Sequence, residues 1–118
     1  MAIEKSDDDE PKRLIEALLR ADIYAKHVFI VDADVDPGDM RQVVAAMALQ
    51  TQADTKVYTF ENEQGTPLDP SCRSPDGTST KMGIDATRPL NPARSFTRNR
   101  LPPELLESID IKEFKNRR

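Results

Sequence analysis

One stretch limits the fold of this chain more than any other. Residues 26–59 read as a strand, a helix and a second strand in close succession. Val28-Phe-Ile-Val31 is a short continuous apolar run rich in β-branched side chains, consistent with a buried strand. Asp36-Pro37-Gly38-Asp39 then opens a helix, with Asp36 placed to cap it, Pro37 suited to its first position and Asp39 to its third. Met40, Val43, Val44 and Met47 keep helical spacing, and Ala45, Ala46 and Ala48 between them allow close packing on a sheet. Val57-Tyr-Thr-Phe60 is the second strand. With a helix between them, the two strands are most simply parallel and joined by a right-handed crossover.

The rest of the chain is arranged around this unit. Asp9-Glu10-Pro11 marks a helix start, and Leu14, Ile15, Leu18 and Leu19 form one apolar stripe over 11–20. The residues before it, 1–8, read as flexible. Residues 61–80 hold Gly65, Pro67, Pro70, Pro75 and Gly77 and predict a long loop. Met82 to Ala86 is a candidate third strand. Pro89, Pro92, Pro102 and Pro103 punctuate an extended C-terminal arm over 89–118, with one short helix around Leu105, Leu106 and Ile109. The expected fold is a single α/β domain over 1–118. It has two or three layers, a short and mainly parallel sheet, and an N-terminal helix.

Composition narrows what such a domain does. Only 37% of the 118 residues are hydrophobic and 32% are charged, so the core is thin and much surface is left for a partner. The formal charge of −4 gives nucleic-acid binding no overall support, although arginines crowd the last third of the chain. A single cysteine, Cys72, rules out an intrachain disulfide. The N-terminus lacks a signal-peptide pattern and no apolar run is long enough to cross a bilayer, so a soluble, cytoplasmic protein is expected.

Asp32, Asp34, Asp36 and Asp39 invite a metal hypothesis. An EF-hand counted from Asp32 would need Gly at its sixth position and an acid at its twelfth, where Pro37 and Val43 stand. A strand end followed by a capped helix is the better reading, with no metal ligand assigned. His27 has no second group at a recognisable spacing, and Cys72 has no nearby histidine, so no catalytic residue is assigned either. Lys81 and Arg88 flank Met82-Gly-Ile-Asp-Ala-Thr87 as strand-end cations. Asp85 inside that apolar strand must be exposed, paired or hydrogen-bonded.

Two segments in this order, Val31-Asp-Ala-Asp-Val-Asp36 and Lys81-Met-Gly-Ile-Asp-Ala-Thr87, carry a resemblance to the C-terminal domain of the UbiD family of decarboxylases. The resemblance runs from about Arg20 to Pro89. One departure is Ala33, which separates aspartates that are adjacent in the family. Family enzymes use prenylated FMN, held through a divalent metal and potassium, to decarboxylate aromatic or α,β-unsaturated acids reversibly. Their catalytic network lies in a larger N-terminal domain. The resemblance therefore implies a small subunit that caps the active site of a UbiD-like large chain, which would hold the flavin and its ions. By position it implies Thr87 and Arg88 near the substrate pocket and Arg20 near the flavin phosphate. The alternative is a non-catalytic, self-associating module that keeps the fold.

Overall fold

The computed structural model describes residues 1–73 and 77–92. The helix expected near the end of the C-terminal arm lies outside them. The elements in chain order are β1 (Ala2–Ile3), α1 (Glu10–Ala21), β2 (His27–Asp32), α2 (Met40–Gln50), α3 (Ala53–Lys56), β3 (Val57–Gln64) and β4 (Thr78–Ala86). The four strands form one sheet in the order β1-β2-β4-β3. β1 runs parallel to β2 and β2 parallel to β4, while β3 and β4 pair antiparallel.

This order corrects the expectation that the second strand of the opening unit lies parallel to the first. β3 is antiparallel and does not touch β2; the strand parallel to β2 is β4. Burial explains the choice. β4 is buried from Gly83 to Ala86, so it takes the central slot, where both faces are covered. β3 alternates half-buried with exposed residues and ends in Glu61-Asn-Glu-Gln, which suits an edge. Asn62 takes a positive φ of 57°, where the ladder to β4 shifts register between Phe60 and Glu63.

Alternation along β2 sends its side chains to two cores. Ile30, with Val28, packs against Ile15 and Leu19 of α1. Val31, with Phe29, packs against Val43 and Ala46 of α2, and against Val35 and Ala86. One helix covers each face, giving three layers. Gly83 of β4 shows how close α1 lies: a Cβ there would stand 2.0 Å from Ile15 Cγ2.

Three local predictions shift. The cap of α2 is Asp39, whose carboxylate accepts from Arg41 N at 3.0 Å, rather than Asp36. Asp36 instead closes a turn by accepting from Gly38 N at 2.8 Å, because Pro37 and Gly38 suit a turn better than a first helical turn. Within the leader, Ala2 and Ile3 pair with Val31 and Asp32, and the Met1 amino group donates to Phe29 O at 2.8 Å. The loop after β3 is narrower than 61–80, since 61–64 extend β3 and 78–80 begin β4. No helix among the described residues is long and apolar enough to cross a membrane.

Candidate functional site

The parallel strands β1, β2 and β4 end together, at Ile3, Asp32 and Ala86, and the chain after each turns over the same edge. Carboxyl ends of parallel strands are where α/β sheets present their chemistry. A cleft of about 450 Å³ opens here, bounded by Ile3, Lys5, Asp32, Asp34, Arg88 and Leu90.

Arg88 joins the two motifs that stand far apart in sequence. Its Nε lies 3.1 Å from Asp32 Oδ2 and its Nη2 donates to Asp34 Oδ1 at 2.8 Å. Its backbone N–H donates to Asp32 Oδ2 at 3.1 Å. The interruption at Ala33 is thereby accommodated, because Asp32 and Asp34 both reach the one guanidinium. Arg88 remains 37% exposed along its side chain, so it faces the cleft while paired.

Thr87 is fully buried behind it. Its hydroxyl donates to Asp85 Oδ1 at 2.6 Å and accepts from Lys5 Nζ at 3.0 Å, and its amide also donates to Asp85 Oδ1, at 2.9 Å. That resolves the carboxylate in the apolar strand: Asp85 is buried and hydrogen-bonded. Lys5 also pairs with Asp8 at 2.8 Å. The Lys5 ammonium, and next the Leu90 amide, hold the Asp8 carboxyl below its ordinary range. From the other side, Lys56 Nζ donates to Thr87 O at 2.6 Å and to Gln50 O at 3.1 Å, and Thr51 Oγ1 donates to Asp85 O at 2.9 Å. With its amide nitrogen turned inward, Gln50 donates to Ala86 O at 2.7 Å and Asp32 Oδ2 at 3.2 Å. The segment 85–88 is thus clamped along its backbone and side chains. Sequence reasoning missed Lys5, Gln50, Thr51 and Lys56. Their partners lie tens of residues away, and no local spacing announces them.

Arg20 does not join this group. It lies in the last turn of α1, 61% exposed along its side chain and paired with Glu16 at 2.8 Å. α1 ends near the start of β2, so Arg20 stands at the opposite end of the sheet, roughly 17 Å away along six strand residues. Lys81 is no ordinary strand-end cation. It is buried at 3% exposure and donates to Leu19 O at 2.8 Å and Asp22 O at 2.9 Å, closing the negative end of α1. A second recess, about 380 Å³, opens at the amino end of β2 between Leu18, Ala25, Phe29 and Met40. Its lining is mainly apolar, so the charged chemistry sits at the carboxyl edge.

The aspartates of the first corner are all engaged: Asp32 and Asp34 with Arg88, Asp36 with the Gly38 amide, Asp39 with the Arg41 amide. Among the described residues no group of three His, Cys, Asp or Glu is placed to hold a metal. Arg20 is a single surface guanidinium already paired, and Lys81 donates to carbonyls.

Three parallel strands ending beside a clamped, partly exposed arginine make this an α/β domain with its charged groups gathered at the carboxyl edge. The chain belongs to the UbiD carboxy-lyase family: the model of the 3-octaprenyl-4-hydroxybenzoate carboxy-lyase C-terminal domain matches residues 1–86. It is 40% identical over 102 residues to an anhydromevalonate phosphate decarboxylase of Aeropyrum pernix, covering 86% of this chain and 23% of that one. The UbiD-class enzyme HmfF of Pelotomaculum thermopropionicum, in complex with FMN, superimposes with a TM-score of 0.77 at 38% identity. The match covers 96% of this chain and 25% of HmfF. The vanillic acid decarboxylase of Sedimentibacter hydroxybenzoicus in its open form gives a TM-score of 0.74 at 30% identity, covering 98% and 25%. The chain therefore spans about a quarter of the length of the relatives it matches.

Proposed function

We propose that this chain works as the C-terminal domain of a UbiD-type decarboxylase or carboxylase whose flavin-holding part is a larger chain. The observation that carries the reading is the match of residues 1–86 to the UbiD C-terminal domain, with the two family motifs joined through Arg88 at the carboxyl edge. The large chain holds prenylated FMN with its divalent metal and potassium, and performs the chemistry. That HmfF is in complex with FMN supports this assignment of the cofactor class. The substrate is an aromatic or α,β-unsaturated acid.

In this role the small chain closes one side of the pocket and mediates assembly. Arg88 faces the substrate from the cleft, and Thr87 holds the strap behind it through Asp85 and Lys5. A substrate carboxylate competes with Asp34, the more exposed of the two partners of Arg88, for its outer nitrogen. Arg20, exposed at the far end of the sheet, exchanges Glu16 for the flavin phosphate.

Affinity capture of the tagged chain from its native cells, followed by mass spectrometry and flavin absorbance, tests the assembly. A UbiD-like large chain carrying flavin is the expected companion, and recovery of the chain alone overturns the reading. In the reconstituted complex, Arg88→Ala should change the ratio of kcat/KM between two acids by about tenfold while assembly persists. An unchanged ratio would place Arg88 away from the substrate.

A further inference from the structure

Ser79 carries a buried hydroxyl that the fold does not use. It alternates along β4 with Lys81 and Gly83, so all three point to the α1 face, where Gly83 meets Ile15. Ser79 is 5% exposed, yet its hydroxyl has no hydrogen-bond partner among the described residues. A polar side chain buried to this extent is ordinarily paired. The hydroxyl is not sealed among packed side chains either, since no fully enclosed side-chain oxygen or nitrogen among the described residues lacks a partner. It opens on a pocket of about 170 Å³ just beyond the end of α1. Ser79 and Lys81 line this pocket from β4, Ile23 and Tyr24 from the turn after α1, and Thr66 and Asp69 from the loop after β3.

The groups left free at this pocket are donors. Lys81 gives two of its three N–H bonds to Leu19 O and Asp22 O. Lys26, also in the lining, gives two of its three to Asp69 Oδ2 and Ser71 Oγ. The carboxylate of Asp69 is already taken, Oδ2 by Lys26 and Oδ1 by the amide and hydroxyl of Ser71. One N–H of each ammonium remains, beside the Ser79 hydroxyl.

We propose that this pocket binds a small monocarboxylate. Its oxygens accept from Ser79 and Lys81, and its apolar remainder lies against Ile23 and Tyr24. An ionised carboxylate only accepts, which suits a site whose acceptors are spent and whose donors are not. Charge selects a monoanion. Lys26 and Lys81 stand against Asp69, which leaves one positive charge on the lining, and the carbonyl end of α1 lies beside Lys81. A phosphate dianion would leave a net negative charge with little water to solvate it. Size selects a short molecule, since a cavity of about 150 Å³ just admits a six-carbon ring. The site lies at the end of the sheet away from Arg88, uses residues of this chain, and goes beyond the subunit reading without resting on it.

The probe is sodium propionate, titrated into the 118-residue chain at neutral pH and constant ionic strength and followed by amide NMR. Saturable shifts at Ile23, Tyr24, Thr66 and Ser79 are expected. Propionamide, of the same shape without the charge, and inorganic phosphate should produce none. Ser79→Ala deletes a hydroxyl that the folded chain does not use, so the thermal melt should be unchanged while propionate affinity falls about tenfold. Tyr24→Ala, at a side chain 65% exposed, should weaken propionate and leave formate, which has no apolar remainder, as it was. Titration without saturation, equal binding of propionamide, tighter binding of phosphate, shifts confined to the Arg88 cleft, or full affinity in Ser79→Ala would each overturn the proposal. The subunit reading is tested separately, by capture of the large chain, so either can fail while the other stands.

Discussion

Lys81 illustrates how a side chain's worth depends on what it would leave behind. Its ammonium is buried between two carbonyl oxygens of the α1 terminus, those of Leu19 and Asp22. Lys81→Met keeps the stem but strands both acceptors, and a buried unsatisfied group costs about 1–3 kcal/mol. We expect urea denaturation to show a loss in that range with an unchanged slope. Asp69 offers a pH test. Lys26 first, then the Ser71 hydroxyl and amide, hold its carboxyl well below the usual carboxylate range. A carboxyl lowered on folding contributes stability above its unfolded value, and that contribution is lost as pH falls toward the folded one. The melting temperatures of wild type and Asp69→Asn should therefore differ at neutral pH and converge as pH drops below about 4. A gap that stays constant as pH is taken well below 4 would remove the Lys26–Asp69 tie from the account. These partnerships were only partly open to sequence reading. That Asp85 had to be exposed, paired or hydrogen-bonded followed from its apolar neighbours, but Thr87 as its partner, and Lys5 behind Thr87, did not.

The strands and helices were far more legible than their arrangement. The apolar run 28–31, the stripe 14–19 and the spacing 40–47 each report burial through local periodicity, and each became β2, α1 or α2. Strand order carries no such local signature. β3 follows α2 in sequence, yet it sits beyond β4 because β4 is the better-buried strand. Gly83 shows a signal that is visible only in retrospect. In Lys81-Met-Gly-Ile-Asp it looks like a weak point in a strand, and glycine there often marks close approach by a neighbour. The neighbour is Ile15, and Gly83→Ala would force α1 outward against its own core. Overpacking of this kind costs about 1–3 kcal/mol. Ile15→Leu, which removes the branching methyl nearest the new Cβ, should recover part of the loss in a double-mutant cycle. Strict additivity of the two changes would show that the contact does not limit the fold. The start of the chain also resisted reading, since two residues of β1 are too few to show a period.

The two ends of the sheet present different surfaces. The carboxyl edge presents Arg88 and its aspartates, and the amino end presents the mainly apolar recess by Leu18 and Met40. α2 adds to this, being apolar around much of its circumference with Met40, Val44 and Leu49 exposed. Such a helix is ordinarily covered on more than one side. A partner that covered such surfaces in the folded state alone would add stability rising with the logarithm of its concentration above Kd. The sheet order has a further consequence, in time rather than in space. β4 is the last of the four described strands in sequence, yet it is the one that must insert between β2 and β3. Until residue 86 is available, β2 and β3 have no neighbour to separate them correctly, and their edges stand open. The core therefore cannot close before β4 is made, and until then the unpaired edges of β2 and β3 are the surfaces open to aggregation.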